Sequence, residues 1–187
     1  MLKLGVPHME AAHEIVGLRC WDGQGTVRLL DADETLNAML LERCMPGTPL
    51  RRLPEPEQDA VIGALLPRLW RTPPHGTPFR ELAGSAEGYV LLFTDLHAGN
   101  VLRAQRAPWL AIDPKPFVGD PTYDATQHLF NCRRTRAAPR ATIAAVADAF
   151  GLSRERLRLW TFARAAAEPR ADWRNDVWCD VARRIAP

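Results

Sequence analysis

The sequence predicts an α+β fold in two lobes, a small strand-rich N-terminal lobe and a mainly helical C-terminal lobe. Short apolar segments of strand length dominate the first 45 residues, whereas apolar residues recur at helical spacing beyond residue 123. Between these regions, Cys44–Pro49 contains two prolines, which lack a backbone donor, and Gly47, which permits positive φ. We therefore predict a partial N-terminal lobe at residues 1–45 and a helical C-terminal lobe at residues 46–187.

The predicted N-terminal lobe contains three strands and one helix. Leu2–Gly5 has the pattern of the end of an apolar strand, and a chain that starts inside a strand leads us to expect a further segment upstream. Apolar residues at helical spacing predict a helix at Glu10–Trp21. The runs Thr26–Leu30 and Met39–Glu42 are predicted to pair as a hairpin, with the polar residues Asp31–Glu34 as its turn.

The predicted C-terminal lobe begins with a helix at Glu57–Trp70, in which Pro67 is expected to introduce a kink. The proline-rich segment Thr72–Pro78 is predicted to form an ordered loop. Tyr89–Phe93 and Trp109–Ile112 are apolar runs of strand length. Four further helices are predicted at Tyr123–Cys132, Arg140–Phe150, Arg154–Glu168 and Asp172–Ile185.

Composition and charge exclude several classes of protein. A hydrophobic content of 47% and a charged content of 25% are typical of soluble globular proteins. The net charge is only +2 and the arginines are scattered, so nucleic acid is not an expected partner. The N-terminus lacks signal-peptide zones and no apolar run approaches the roughly 20 residues that span a bilayer, so we expect no membrane partner and a cytoplasmic location. The four cysteines form no C-x-x-C pair and are expected to be buried apolar residues.

The segment between the two apolar runs of the C-terminal lobe carries the residues suited to chemistry. Asp95 and Asn100 follow the first run, in a segment that contains Gly99, and Asp113 ends the second run. Two acids at strand ends, with an asparagine between them, can converge above the edge of a sheet. Carboxylate and amide oxygens suit Mg²⁺, and a further carboxylate can accept the proton of an attacking hydroxyl. The pattern is therefore typical of phosphoryl transfer.

Three motifs in this region resemble those of aminoglycoside phosphotransferases. Residues 91–102 are similar to the H-G-D-L-H-P-G-N-V-L catalytic loop of that family. Residues 109–115, W-L-A-I-D-P-K, resemble its metal-binding strand, and residues 119–124, G-D-P-T-Y-D, resemble the motif that follows. The W-L-A-I-D-P-K sequence is most similar to the branch of streptomycin 6-kinases and hydroxyurea phosphotransferases.

The resemblance implies a protein-kinase-like fold with a shortened N-terminal lobe, which uses ATP and Mg²⁺. It makes Asp95 the catalytic base, and Asn100 and Asp113 the magnesium ligands. Lys3 matches the strand lysine that grips the α- and β-phosphates, and Glu14 matches the helix glutamate that orients this lysine. The hinge, whose backbone groups would meet the adenine, comprises Glu42, Arg43, Cys44 and Met45.

The chain departs from the family pattern at three places. Two strands with a glycine-bearing turn are absent before Lys3. Leu82–Gly88 runs straight into Tyr89, where the family has further helices, and their loss is expected to expose apolar surface on the C-terminal helices that a second copy would cover in a homodimer. Phe93-Thr94 replaces the usual His-Gly, and phenylalanine cannot make the polar contact by which that histidine braces the catalytic and metal loops.

The expected activity is transfer of the γ-phosphoryl group of ATP to a hydroxyl of a small cationic molecule such as streptomycin, which would inactivate the antibiotic. Two alternatives stay open, a degenerate pseudokinase with weak or no nucleotide binding, and a kinase for another small metabolite. Carboxylates near the C-terminus would either line a pocket for the cation or form solvated helix faces. These are Glu168, Asp172, Asp176 and Asp180.

Three polar residues near the motifs have competing interpretations. Asp120 and Asp124 either take part in catalysis or, as we expect, cap the following helix and fix the loop. His97 either contacts phosphate or, as we expect, holds backbone carbonyls.

Overall fold

The computed structural model describes residues 1–5, 13–82, 88–167 and 176–187 and, within them, seven strands and seven helices. No helix in these ranges combines the length and the apolar character needed to cross a bilayer. The strands are β1 (Leu2–Leu4), β2 (Leu29–Asp33), β3 (Ala38–Leu41), β4 (Val90–Leu92), β5 (Val101–Arg103), β6 (Trp109–Ala111) and β7 (Phe117–Gly119). The helices are α1 (Glu14–Trp21), α2 (Glu55–Leu69), α3 (Pro121–Asn131), α4 (Arg133–Ala137), α5 (Pro139–Phe150), α6 (Arg154–Ala167) and α7 (Val177–Ile185).

The N-terminal sheet has the order β1-β3-β2, with both outer strands antiparallel to β3. Lys3 of β1 lies opposite Met39. Helix α1 packs on this sheet, because its residues Ile15 and Leu18 form a buried apolar cluster with Met39. The apolar interface therefore holds α1, which begins at Glu14, to β3, the strand that pairs with the strand of Lys3.

The predicted hairpin of β2 and β3 is confirmed, but its turn lies three residues later than Asp31–Glu34, at residues 34–37. The position predicted for the turn is wrong because a local side chain fixes the later one. The Asp33 carboxylate accepts hydrogen bonds from the backbone amides of Thr35 (2.9 Å) and Leu36 (3.1 Å). Asn37 then adopts a positive φ of 49°, which asparagine tolerates better than most residues.

The strands that flank the three motifs form two separate two-stranded sheets, β4-β7 and β5-β6. The expectation that Asp95 and Asp113 follow strands of one sheet edge is wrong. The chain between them forms its own hairpin, in which Val101 of β5 is opposite Ala111 of β6. Asn100 and Asp113 therefore leave this hairpin at the same end, whereas Asp95 follows β4 of the other sheet.

The strands β1, β4 and β6 and the helices α2, α3, α5 and α6 are confirmed close to their predicted bounds. Helix α2 continues through Pro67 to Leu69. Gly151 ends α5 with a φ of 67°, and the Ser153 hydroxyl caps α6 by accepting a hydrogen bond from Arg156 N (3.3 Å). The short elements β5, β7, α4 and the 3₁₀ turn Leu50–Arg52 were not predicted, because three to five residues are too few to show a period.

Exposed apolar side chains are concentrated at the N-terminal sheet, where Leu2 and Leu4 are each 68% exposed. On the described parts of the C-terminal helices, Leu159 and Val177 are the large apolar residues that stay exposed, at 40% each. The expectation of an exposed apolar surface on those helices is therefore wrong for the residues that the structure describes. A homodimer remains a prediction.

Several predictions fall on residues outside the described ranges. These are the start of the first helix at Glu10, most of Leu82–Gly88, the start of the last helix at Asp172, and the carboxylate of Glu168. The boundary between lobes at residue 45 remains a prediction.

Candidate active site

The loop that carries Asp95 is anchored by Asp124, the fourth residue of α3. The Asp124 carboxylate accepts hydrogen bonds from Phe93 N (3.0 Å), Thr94 N (2.7 Å) and Trp70 Nε1 (3.2 Å). Complete burial raises the pKa of Asp124 to about 6, and these hydrogen bonds only partly oppose that rise. Asp124 therefore has the structural role that we expected, as the acceptor that fixes the backbone immediately before Asp95.

Thr94 provides the polar contact that was expected to be missing at the Phe93-Thr94 pair. Its hydroxyl donates a hydrogen bond to the Lys115 carbonyl, and Lys115 N donates to the Phe93 carbonyl (3.0 Å). Thr94 adopts a positive φ of 55°, which is uncommon for a β-branched residue. Phe93 is fully buried against Trp21, with ring centroids 5.5 Å apart. The loops that carry Asp95 and Asp113 are thus braced by Thr94 and the backbone rather than by a histidine.

The Asp95 carboxylate is held on both of its oxygens. Oδ1 accepts a hydrogen bond from Gln127 Nε2 at 2.7 Å. Oδ2 accepts from Asn100 Nδ2 at 3.2 Å and lies 3.3 Å from Lys115 Nζ. The side chain is 14% exposed, so it is oriented by neighbours but still open to a reacting group. A carboxylate so placed can accept a proton or orient a hydroxyl.

The Asn100 amide is oriented by its nitrogen, so that its oxygen points away from Asp95. Its Nδ2 donates to the Asp95 carbonyl (3.1 Å) and to the Asp95 carboxylate, and because both of these are acceptors, the nitrogen must face them. The Asn100 carbonyl accepts a hydrogen bond from Ile112 N (2.9 Å), so the backbone places Asn100 one residue from Asp113 across the hairpin end. Asp113 has a φ of 62° and a side chain that is 48% exposed. An amide oxygen and a carboxylate are ligands that suit Mg²⁺.

Lys3 joins the β1-β3-β2 sheet to the loop that follows β6. Its ammonium group donates to both carboxylate oxygens of Glu14 (2.6 and 2.7 Å) and also to Asp113 Oδ1. Burial opposes the charge on Lys3, but the contacts with Asp113 and Glu14 outweigh it, so the pKa of Lys3 is raised. Burial also raises the pKa of Glu14, with Lys3 opposing. The predicted pair of Lys3 and Glu14 is in contact, and Asp113 joins it.

The predicted hinge, Glu42–Met45, follows β3 and leads into the 3₁₀ turn. The Glu42 carboxylate accepts hydrogen bonds from Arg106 Nη2 (2.7 Å) and from Arg28 N (3.0 Å). Hydrogen bonds from Arg106 lower the pKa of Glu42. The side chain of Glu42 therefore connects the sheet to the β5-β6 turn, and a contact of residues 42–45 with adenine remains a prediction about their backbone.

Asp120 and His97 make local contacts. Asp120 caps α3 by accepting from Thr122 N (2.9 Å), and its other oxygen accepts from Arg156 Nε and Trp160 Nε1 (2.6 Å each). The His97 ring accepts a hydrogen bond from Gly99 N at Nδ1 (3.0 Å), so it holds a backbone amide rather than the carbonyls that we expected. Burial lowers the pKa of His97, which favours the neutral ring.

A second group of polar residues, away from Asp95, is a buried ion-pair network. His128 Nε2 lies 2.7 Å from Asp59 Oδ1, Arg134 contacts the other Asp59 oxygen, and Cys132 Sγ is 3.4 Å from His128. Burial raises the pKa of Cys132 to about 12, so the thiol stays protonated. The guanidinium group of Arg134, which occupies one Asp59 oxygen, favours this network over a metal site. Cys179 is also buried, whereas Cys20 and Cys44 are only half-buried, contrary to expectation.

A cavity of about 350 Å³ opens beside Asp95. Its wall includes Lys115, Gln127, Arg164 and the Tyr123 ring. Among the described residues that line the cavity, Asp95 is the one carboxylate, and Lys115 and Arg164 are cations. A cavity next to the proposed base is a natural place for an acceptor hydroxyl.

Three residues of this site were not predicted from the sequence: Lys115, Gln127 and Arg164. Lys115 carried a signal, because Lys3 and Lys115 are the only lysines in the chain and the other basic side chains are arginines. Gln127 and Arg164 have no such sequence signal. Gln127 contacts Asp95 across 32 positions of sequence, and Arg164 contacts Gln127 across 37.

The chain matches the family model of aminoglycoside/hydroxyurea antibiotic resistance kinases over residues 1–85 and 79–177. It is 38% identical over 202 residues to the hydroxyurea phosphotransferase of Kitasatospora aureofaciens. It is 34% identical over 208 residues to the streptomycin 6-kinase of Streptomyces glaucescens. These alignments cover 87% and 88% of the chain, but the chain spans only 59% of the first relative and 67% of the second.

Two solved structures resemble the chain in fold. Choline kinase LicA of Streptococcus pneumoniae has a TM-score of 0.63 at 11% identity and covers 98% of this chain and 83% of its own. Aminoglycoside phosphotransferase APH(3'')-Id of Streptomyces rimosus, in complex with ADP and streptomycin, has a TM-score of 0.58 at 17% identity. The match covers 97% of this chain and 85% of the phosphotransferase chain. The predicted α+β, protein-kinase-like fold is therefore confirmed.

Proposed function

Because the chain belongs to the family of aminoglycoside/hydroxyurea antibiotic resistance kinases, we propose that it transfers the γ-phosphoryl group of ATP to a hydroxyl group of a small molecule. The observation that carries this proposal is the contact of Lys3 with both Glu14 and Asp113, the latter 110 positions away in sequence. In the family pattern, the lysine grips the phosphates, the glutamate orients that lysine, and the aspartate binds the metal ion. Their contact supports a working nucleotide site.

In this proposal Asp95 accepts or orients the proton of the acceptor hydroxyl. The Asn100 amide oxygen and the Asp113 carboxylate would hold Mg²⁺, and the donor set fits, since the Asn100 nitrogen is already engaged and Asp113 already neighbours a cation. When bound, the ion supplies positive charge beside the phosphate oxygens. Lys3, oriented by Glu14, would grip the phosphates, and residues 42–45 would meet the adenine.

For the acceptor we propose an aminoglycoside, because one curated relative is a streptomycin 6-kinase. Two of the C-terminal acids contribute little support for a cationic acceptor. Asp176 caps α7 by accepting from Trp178 N (2.7 Å), and Asp180 lies 3.4 Å from Arg184 on the same helix. For these two residues the contacts favour the solvated-face interpretation.

A small neutral acceptor, such as hydroxyurea, is a second candidate. The observation that favours it is the pair of cations, Lys115 and Arg164, in the wall of the cavity beside Asp95. Like charges in a partly enclosed site repel each other, so a polycation would meet an unfavourable field there unless further carboxylates compensate. The relative that is 38% identical is a hydroxyurea phosphotransferase.

The test is an ADP-release assay with the purified chain, MgATP and either streptomycin or hydroxyurea, with the phosphorylated product identified by mass spectrometry. Wild type should form product with one of the two, and Asp95→Asn should lose about 100- to 10,000-fold in turnover. Asp180→Asn, which removes an exposed carboxylate on α7, should behave as wild type.

Product formation in Asp95→Asn at the wild-type rate would contradict the assigned role of this residue. Absence of product with both acceptors, together with no thermal stabilisation by MgATP at millimolar concentration, would contradict the enzyme and favour the degenerate pseudokinase.

A further inference from the structure

Gln127 connects Asp95 to helix α6. It lies on α3 one turn after Tyr123, and its Nε2 donates to Asp95 Oδ1 at 2.7 Å. Its Oε1 accepts a hydrogen bond from Arg164 Nη2 at 2.9 Å. A guanidinium group only donates, so the amide oxygen must face Arg164 and the NH₂ group must face Asp95. Arg164 therefore fixes which end of the Gln127 amide meets the carboxylate.

Arg164 is itself fixed by three contacts. Its Nη1 donates to Thr126 Oγ1 at 2.7 Å. Its guanidinium group lies over the rings of Tyr123 and Phe130, at 4.9 and 4.8 Å from their centroids. Phe130 in turn stacks on Trp178 of α7, with centroids 4.1 Å apart. Cations over aromatic faces hold a preferred plane, so the fork of Arg164 is oriented before any ligand binds.

The two oxygens of the Asp95 carboxylate have different partners. Gln127 takes Oδ1, and Asn100 and Lys115 are directed to Oδ2. A carboxylate has about four lone-pair positions, so three donors leave roughly one for a substrate hydroxyl. Without Gln127, the nearest group to Oδ1 would be the His97 ring, whose Nε2 lies 3.8 Å away, and Asp95 would be held mainly through Oδ2.

Resting on the proposed phosphotransfer, we propose that Gln127 and Arg164 are positioning residues that act in series to orient Asp95 toward the acceptor hydroxyl. Neither takes or gives the reacting proton. Their effect should fall on kcat, with the KM for ATP nearly unchanged, because both line the cavity beside Asp95 and Lys3 is not among the described residues that line it. The role belongs to the C-terminal helices α3 and α6.

Three variants test the series. Gln127→Met removes the hydrogen bond at similar volume and should lower kcat by about 10- to 100-fold, the range of a charge-assisted hydrogen bond expressed as a rate. Gln127→Glu should be worse, since it turns a carboxylate toward Asp95. If Gln127 only stabilises the fold, Gln127→Glu should lower kcat less than Gln127→Met does, because a glutamate at this position can form an ion pair with Arg164. Arg164→Met should lower kcat in wild type but add less than about threefold in the Gln127→Met background.

Arg154→Met is the matched control, because it removes an arginine of α6 and its ion pair with Asp148 (2.6 Å) without reaching the site. It should leave kcat unchanged. If wild type turns over and the Gln127 variants keep kcat within about twofold of it, or if the Gln127 and Arg164 effects multiply in full, the positioning role is overturned while the phosphotransfer function stands.

A readout that does not depend on turnover separates the two proposals. The chain has four glutamines, Gln24, Gln58, Gln105 and Gln127, so their side-chain NH₂ resonances can be assigned by NMR after selective labelling. Asp95→Ala and Arg164→Met should each shift the Gln127 NH₂ resonances, and Arg154→Met should not. If wild type is inactive, the proposed function fails, and unshifted Gln127 resonances in both variants would overturn the positioning role as well.

Discussion

Replacement of Asp124 by asparagine should flatten the dependence of the free energy of unfolding on pH. The Asp124 carboxyl group is fully buried, and burial raises its pKa from 3.8 to about 6 in the folded chain. A carboxyl group with a higher pKa when folded binds its proton more tightly in the folded state. Its contribution to stability is therefore complete below pH 3.8 and is lost as the pH rises through 6.

The size of this effect follows from the two pKa values. A shift of about two units corresponds to about 3 kcal/mol above pH 7, because one unit is 1.36 kcal/mol. About 2 kcal/mol of this falls between roughly pH 4.5 and 8. Asparagine does not ionise, so the variant lacks this component. It should also be less stable by about 1–3 kcal/mol at pH 5, because an amide has one acceptor oxygen and leaves one of the three donors unpaired.

Urea unfolding followed by the fluorescence of the six tryptophans measures both quantities. Between pH 4.5 and 8, wild type should lose about 2 kcal/mol more stability than Asp124→Asn. Asp148→Asn is the control without an effect in this range: the hydrogen bond from Arg154 lowers the pKa of the exposed Asp148, so its contribution is constant above about pH 4.5 and is lost only as the pH falls further. Equal pH dependence in wild type and Asp124→Asn would refute the role of Asp124 as a buried, ionisable anchor of the loop that carries Asp95.

Further predictions concern a lysine, the metal ligand and the strained loop residue. Lys3, one of only two lysines in the chain, should be protected by MgATP from an acylating lysine reagent, and mass spectrometry of its peptide reads this directly; no protection of Lys3 would contradict its role at the phosphates. Asn100→Ala should raise the Mg²⁺ concentration for half-maximal ADP release by about tenfold or more, and an unchanged concentration would remove Asn100 from the metal site. Thr94→Gly should change stability by less than about 1 kcal/mol, because relief of the positive φ offsets the lost hydrogen bond, whereas Thr94→Val should cost about 1–2 kcal/mol in the same urea assay.

The parts of the fold that could be predicted are those with a local cause. Periodic apolar residues predicted α2 and α5, and the alternation of apolar runs with polar residues predicted the hairpin of β2 and β3. The turn of that hairpin was misplaced because Asp33 bonds forward to the backbone of Thr35 and Leu36, a contact that competes with an earlier turn. The three-residue strands β5 and β7 depend on partners that a local pattern does not reveal.

In the candidate site, too, only the residues with a local sequence signal could be predicted. The motif spacing predicted Asp95, Asn100 and Asp113, and the structure adds that Lys3 contacts Asp113. The residues that hold Asp95 in place could not be found locally, because Gln127 reaches it from a helix 32 positions later. Motif similarity predicts the groups that react, whereas the groups that orient them depend on how the C-terminal helices pack.

The most direct test of the account is the position of a divalent cation. Crystals of the chain grown with MnCl₂ and a non-hydrolysable ATP analogue would locate Mn²⁺ by its anomalous scattering. We predict a peak within coordination distance, about 2.0–2.3 Å, of the Asn100 amide oxygen and an Asp113 oxygen, with the analogue's phosphates beside it and the Asp95 carboxylate facing them. A peak bound elsewhere, or Asn100 and Asp113 pointing away from the triphosphate, would contradict the proposed phosphotransfer site.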